Sequence, residues 1–489
     1  MYCGDARGWL AVRGGNQSPA GARPGRGRPA GRGGFRRRGA PTQARLLALR
    51  VLLRVERTRA YADLALHAAL AQSPLVGPDR ALATELVYGT LRWRGRLDYL
   101  LSKVLDRELE KLEPVVVAGL RLGAYQIVFS ERIPSSAAVD ESVRCVHALG
   151  AERAGGLVNA VLRRFAGEFQ QIPLPDLATD PVGHLTHALS QPAWLAQRWI
   201  DVYGPEEAAA LARALNEVPP RTVRANRLRI SRDALLAELV TRFPNATACR
   251  LAPDGIVLGR RGDPGRDPAF QSGRMTVQDE SSQLVVELLD PQPSDRVLDA
   301  CAAPGAKSTG IAERLGPGGS VLALDRHARR LGLLRRDTRR LGLENVQTRV
   351  RDASATLVDL VDERPFDRVL VDAPCSGLGA LRRNPDARWR VVPTDVTKLA
   401  DVQGAILARA SSCLRPGGTL VYSTCTLLPE ENEAVVSAFL SEHPEFRLVP
   451  VSELPARLAP VLTENGYLRC LPQRDDADGF FAARLERMR

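Results

Sequence analysis

The chain has 489 residues, 44% of them apolar, with a net charge of +12 and eight cysteines. At roughly 150 residues per domain that length calls for more than one domain, and the apolar content suffices for packed cores. No run of about 18 uncharged apolar residues occurs, so no membrane span is expected, and the polar N-terminus with Asp5 and Arg7 does not read as a secretory signal.

The cysteines, at Cys3, Cys145, Cys249, Cys301, Cys375, Cys413, Cys425 and Cys470, form no Cys-x-x-Cys pair. That spacing argues against a bound metal and a disulfide framework, and for a reducing cytoplasm. Charge is unevenly placed. Nine arginines and one aspartate in residues 1–40 supply +8, leaving +4 for everything else. Residues 1–40, rich in Arg, Gly and Pro, are expected to be a disordered tail able to track a phosphate backbone. A solvated leader without a partner is the alternative.

From Thr42 the pattern is helical. Leu46, Leu49, Leu52, Leu53 and Val55 recur at three- and four-residue spacing, as do apolar residues in Arg80 to Leu105, Pro114 to Phe129 and Ala137 to Phe165. Ser135 or Ser136 is a candidate N-cap and Gly150 a stop. The result is an all-α bundle over residues 41–170. Its Arg92, Arg94, Arg163 and Arg164 are candidates for RNA, or plain surface arginines. Residues 171–274 read as a linker and a small adaptor. Trp194, Leu195 and Trp199 fit one helical face, Thr222 to Leu228 is a basic strand, and Gly259 to Asp267 an exposed turn.

Residues 275–489 alternate strand and helix. Strands are expected at Met275, Arg296–Asp299, Ser320–Asp325, Val346–Val350, Asp367–Asp372 and Gly418–Ser423, with a closing edge strand near Phe480. This is the signature of a mostly parallel, doubly wound α/β sheet, which binds ligands at its carboxyl edge. Five strand ends carry chemistry there. Asp299 precedes a turn of Cys301, Ala302, Ala303, Pro304, Gly305, Ala306 and Lys307, which opens a helix and offers backbone N–H groups. Asp325 lies twenty residues past Gly305, at ribose distance, and Asp352 ends the third strand unit. Asp372 leads into Ala373-Pro374-Cys375, and a second thiol, Cys425, follows the last parallel strand. A thiolate adding to C6 of a pyrimidine makes C5 nucleophilic, and a strand-end carboxylic acid can stabilise charge near N3. Asp372 suits that part. The loop residues Arg382, Arg383, Arg388 and Trp389 are candidates for contacting the flanking strand, or a solvated loop.

Together the Asp-Ala-Pro-Cys turn, the Thr-Cys turn and the glycine turn resemble the Sun/Fmu (RsmB) family of RNA cytosine-C5 methyltransferases. The helical part, with LVYGTLRWR, LRLGAYQI, AAVDESVRC and VNAVLRRF, is similar to the NusB-like domain that precedes their catalytic part. The resemblance implies a Rossmann-like catalytic domain that uses S-adenosylmethionine, bound by Asp299, the 301–307 turn, Asp325, Asp352 and Asp372. A nicotinamide fits less well, because GxGxxG is missing and the thiols have no part. It also implies Cys425 as nucleophile, Cys375 as the group that helps break the adduct, and Lys307 between cofactor and base. The implied partner is small-subunit ribosomal RNA at a single-stranded or flipped-out cytosine, met by a monomer without metal. A tRNA-modifying relative and a non-catalytic assembly factor remain open. This chain has Ala306 where the family commonly has a second glycine.

Overall fold

The computed structural model describes residues 40–260, 262–361 and 364–489, so the expectation of a disordered tail falls outside the described residues. Seven helices build the N-terminal body: α1 (Gln43–Thr58), α2 (Ala62–Ala71), α3 (Gly77–Arg92), α4 (Arg94–Val104), α5 (Pro114–Phe129), α6 (Ser135–Ala148) and α7 (Gly155–Glu168). Helix α5 is its axis. Its twelve residues from Val115 to Gln126 are all buried, and Gly119 and Gly123 let α6 and α7 close in. A Cβ at Gly119 would stand 2.4 Å from Val146 Cγ2, and one at Gly123 2.4 Å from Leu162 Cδ1. The periodicity over Arg80 to Leu105 is one apolar stripe but two helices, which part at Trp93. Neither Ser135 nor Ser136 is the N-cap, because the helix starts one or two residues earlier, with Pro134 at the cap. Gly150, at φ +86°, does end α6 in a left-handed turn.

The adaptor is a four-stranded antiparallel sheet in the order β2-β3-β1-β4, formed by β1 (Thr222–Ala225), β2 (Thr247–Ala248), β3 (Gly255–Val257) and β4 (Met275–Val277). The catalytic sheet follows with β5 (Arg296–Asp299), β6 (Ser320–Asp325), β7 (Val346–Val350), β8 (Phe366–Asp372), β9 (Leu414–Thr424), β10 (Phe446–Leu448), β11 (Leu468–Cys470) and β12 (Phe480–Arg487). Its order is β10-β12-β9-β8-β5-β6-β7, and β5 to β9 run parallel. The central strands are apolar throughout because helices cover both faces. Leu298, Val369 and Tyr422 pack on one side of the sheet, Val297, Leu370 and Val421 on the other.

Strand β12 is antiparallel to β9, and it is not an edge. Its outer side is paired by β11 at Phe480–Ala482 and by β10 at Leu485–Arg487. Residues 480–483 are fully buried, and such an apolar strand left unpaired would invite association, so two short strands cover it. No helix among the described residues is long and apolar enough to cross a membrane.

Candidate active site

Strand β5 delivers Asp299 into the interior with no exposed surface. The chain then turns, and Gly305 takes φ +118°, where a Cβ would stand 2.4 Å from Leu334 Cδ1. Glycine is therefore required at 305. Ala306 already begins the helix Ala306–Leu315, so the missing second glycine leaves the turn intact. Ser308 Oγ donates to Asp299 Oδ2 at 2.6 Å, while Asp299 Oδ1 has no partner. Burial pushes the Asp299 carboxyl up to about 7; the Ser308 bond opposes the rise and the Asp372 charge adds to it.

One turn of helix carries Lys307 over the ends of β5 and β8. Its Nζ donates to Asp372 Oδ2 at 2.7 Å and lies 4.8 Å from the Phe480 ring centroid. Ser423 Oγ donates to the other carboxylate oxygen at 3.0 Å. Asp372 thus stands fixed between the glycine turn and the last parallel strand. Beyond it the two turns bring Cys375 Sγ and Cys425 Sγ to 3.3 Å, both thiols free and half-buried. The hydrogen bond with Cys425 and burial push the Cys375 thiol well up, and the charge of Glu431 adds to this.

Beside this constellation lies a cavity of ≈ 310 Å³, walled by Asp299, the Ala302–Lys307 turn, Asp372, Thr222, Gln278, Asp279, Arg383 and Asp478. Adaptor and catalytic domain thus share its wall. The orphaned buried acceptor of Asp299, the backbone of the glycine turn and the size of the cavity fit a cationic amino-acid group carried on a nucleoside. Asp325 is buried and accepts from His327 N at 2.7 Å. Asp352 is exposed and closes a local turn with Ser354, whose N–H and Oγ hold its carboxyl below the usual range. Cys301 sits among all four strand-end acids, and burial with their charges keeps it a thiol.

The arginines correct the sequence reading. Arg388 is fully buried and meets no RNA: its Nη1 donates to Asn216 Oδ1 at 2.7 Å and to Ser190 O at 3.1 Å. Trp389 Nε1 donates to Leu91 O at 2.7 Å, and Arg92, also buried, donates to Arg382 O at 2.9 Å. Arg382, 1% exposed, reaches Asp476. The loop after the Pro-Cys turn therefore tucks Arg382 and Arg388 inside and leaves Arg383 on the cavity wall. It is the plug that docks the helical body onto the catalytic domain. Gly95 leaves room for it, since a Cβ there would stand 2.9 Å from Trp389 Cη2. Arg94 pairs with Glu56 and Asp98, and Arg163 and Arg164 lie on the surface. Arg224 in the basic strand is likewise buried. It pairs with Glu313 at 2.9 Å and donates to Ala306 O at 2.8 Å, tying the adaptor to the glycine-turn helix.

Reading the sequence missed Asp279, Arg383 and Asp478 as one cluster. Arg383 bonds Asp279 Oδ2 and Asp478 Oδ2, each at 2.6 Å. Burial, with the Asp279 charge, pushes Asp478 up to about 7 even so. An acid directly ahead of the buried Gly479-Phe480-Phe481 strand start was the one available signal.

Residues 286–486 match the family model described as 16S rRNA methyltransferase RsmB/F, residues 42–167 the NusB family, and residues 191–263 an RsmF/B-like ferredoxin-like domain. The chain is 38% identical over 449 residues to the probable ribosomal RNA small subunit methyltransferase B of Bacillus subtilis, covering 91% of this chain and 99% of that protein. It is 38% identical over 409 residues to the ribosomal RNA small subunit methyltransferase B of Pseudomonas putida, covering 83% and 90%. The crystal structure of PH0851 superimposes with a TM-score of 0.77 at 26% identity, over 91% of this chain and 98% of that one. With this similarity along nearly its whole length, the chain belongs to the 16S rRNA methyltransferase RsmB/F family, whose cofactor is S-adenosylmethionine.

Proposed function

We propose that the protein methylates C5 of a cytosine in small-subunit ribosomal RNA through a covalent bond between Cys425 and C6. The observation that carries this reading is the pair of free thiols at 3.3 Å, on the turns that follow β8 and β9, with the Lys307–Asp372 ion pair at the end of β8 lining the cavity. S-adenosylmethionine supplies an electrophilic methyl group. Asp299 Oδ1 would accept from its ammonium, the 301–307 turn would hold its amino-acid end, and Asp325 and Asp352 would hold its nucleoside. The Cys425 thiolate adds to C6, and the electron pair of the C5–C6 double bond becomes nucleophilic at C5. Asp372, held by Lys307 and Ser423, stabilises the charge that builds near N3. C5 takes the methyl group, leaving the cofactor a neutral thioether, then passes its proton to Cys375 as the electrons return to break the C6–S bond and release the Cys425 thiolate. Cys375 assists that elimination. A cytosine must leave its stack to reach two half-buried thiols, so the substrate is single-stranded or flipped out. Residues 41–170 serve as RNA-binding helical domain and residues 171–274, which bring Thr222 to the cavity wall, as adaptor to the catalytic residues 275–489.

The test is a pair of alanine variants with small-subunit RNA and S-adenosylmethionine. Cys425→Ala should give neither 5-methylcytosine nor a covalent complex. Cys375→Ala should accumulate an RNA-bound band on a denaturing gel that ribonuclease removes. A trapped band from Cys425→Ala, and none from Cys375→Ala, would reverse the roles and remove the basis of the reading.

A further inference from the structure

Each catalytic thiol sits between two residues that are tied down by the same short segment. Cys375 lies between Pro374 and Ser376. Ser376 N donates to Glu431 Oε1 at 2.8 Å, and Ser376 Oγ donates to Glu431 Oε2. Gln403 Nε2 bridges Glu431 Oε1 at 2.9 Å and Pro374 O at 3.0 Å. Cys425 lies between Thr424 and Thr426. Thr424 Oγ1 donates to Asn432 Oδ1 at 2.5 Å, and Asn432 Nδ2 donates to Thr426 O at 3.1 Å. Ser376 Oγ and Thr426 Oγ1, 2.9 Å apart, join the two turns directly. Glu431, Gln403, Thr424 and Thr426 have no exposed surface, and Asn432 has 2%.

Glu431 and Asn432 are consecutive, so one peptide unit carries both holds. They come from a single turn of 3₁₀-helix, Pro429–Glu431, whose own position is set by Tyr422 OH donating to Glu431 O at 2.6 Å. A buried carboxylate is costly unless its oxygens are satisfied. Here both are satisfied by the backbone and side chain of the residue after Cys375 and by Gln403. No cation neutralises this carboxylate among its hydrogen-bonding partners. A carboxylate kept in the interior to hold one turn, next to an amide holding the other, sets the relation between two thiols that lie 50 residues apart in sequence.

We infer that Glu431 and Asn432 are positioning residues which together fix the separation and orientation of the Cys375 and Cys425 sulfurs. Glu431 holds the Pro-Cys turn and Asn432 the Thr-Cys turn. The titratable groups facing Cys375 are Cys425, Glu431 and Tyr422, so the Glu431 charge also raises the proton affinity of Cys375, which favours its taking up the C5 proton in the elimination. This part rests on the two-thiol chemistry proposed above; the geometric part does not.

Glu431→Gln and Asn432→Ala, each confirmed as folded by its thermal melt, are compared in two assays. Phenylarsine oxide bridges two adjacent thiols, forming two As–S bonds as its oxygen leaves as water, and so reads sulfur geometry without RNA or cofactor. The wild-type chain should bind it at one site that Cys375→Ser or Cys425→Ser abolishes, and Asn432→Ala should bind it at least about tenfold more weakly. In the methylation assay both clamp variants should lose about tenfold or more in kcat, with KM for S-adenosylmethionine within about twofold. Wild-type arsenical affinity in both variants overturns the inference, as does a loss that falls on KM for the cofactor. Weakened arsenical binding with unchanged kcat sustains the clamp and instead overturns the two-thiol reaction. That separates the two failures.

Discussion

The carboxyl of Asp299 makes cofactor binding a pH-dependent event whose size follows from its burial. In the ligand-free chain burial holds this group near 7, with one oxygen unpartnered at the cavity wall. In the function proposed above the ammonium of the cofactor binds the ionised form, so below 7 a proton must be lost on binding. Apparent affinity then falls as 1 + 10^(7 − pH), about twofold at pH 7, about elevenfold at pH 6 and about a hundredfold at pH 5, the last equivalent to about 2.7 kcal/mol. Above about pH 8 the ligand's own amino group deprotonates, so affinity should peak between about 7 and 8. Calorimetric titration from pH 5 to 8 in two buffers of different ionisation enthalpy would measure both the slope and the proton released, close to one at pH 6. Asp299→Asn should bind weakly and flatten the slope. A slope that survives in Asp299→Asn refutes the assignment and moves the titration to Asp478, also near 7 on the same wall. The sign for stability is opposite. A carboxyl that titrates higher folded than unfolded favours the fold at low pH, and that contribution is lost as pH rises through about 7. Relative to Asp299→Asn, the ligand-free wild type should therefore lose melting temperature between pH 5 and 8.

Arg388→Met keeps the volume but strips Asn216 Oδ1 and the Ser190 carbonyl of their donor, at a cost of about 2–4 kcal/mol; limited proteolysis should release the helical body earlier, and an unchanged digest and melt would contradict the docking-plug assignment. Asp325→Ala should raise the Michaelis constant for S-adenosylmethionine far more than that for RNA, because the carboxylate ends β6, where the proposed function puts the nucleoside; equal effects would count against it. Deleting residues 1–40 removes nine arginines and one aspartate and should make log affinity for RNA less steep against log salt without changing the site methylated. An identical slope would mark the segment as a passenger.

The parts of this protein legible from sequence are those whose causes are local. A strand that runs apolar into an aspartate and then a Pro or Gly turn puts that aspartate at a sheet's carboxyl edge, whatever surrounds it. Hence Asp299, Asp325 and Asp372, the glycine turn and both thiols stand at the strand ends where the pattern put them. The turn at Gly305 was visible within seven residues, whereas the Leu334 side chain that leaves no room for a Cβ there lies far along the chain. What only the tertiary structure decided is which charges are buried and which strands have neighbours. Arginine is exposed by default, and nothing within a few residues of Arg388, Arg382 or Arg224 says otherwise. Their acceptors lie on Asn216, Asp476 and Glu313, 172, 94 and 89 residues away. A pattern of two residues also says which face of a strand is buried but not who pairs with its edge, so β12 read as terminal until β10 and β11 covered it. The same holds for Glu431 and Asn432: in sequence they are two polar residues before a helix, and only long-range pairing of β8 with β9 brings the two thiol turns within reach of both.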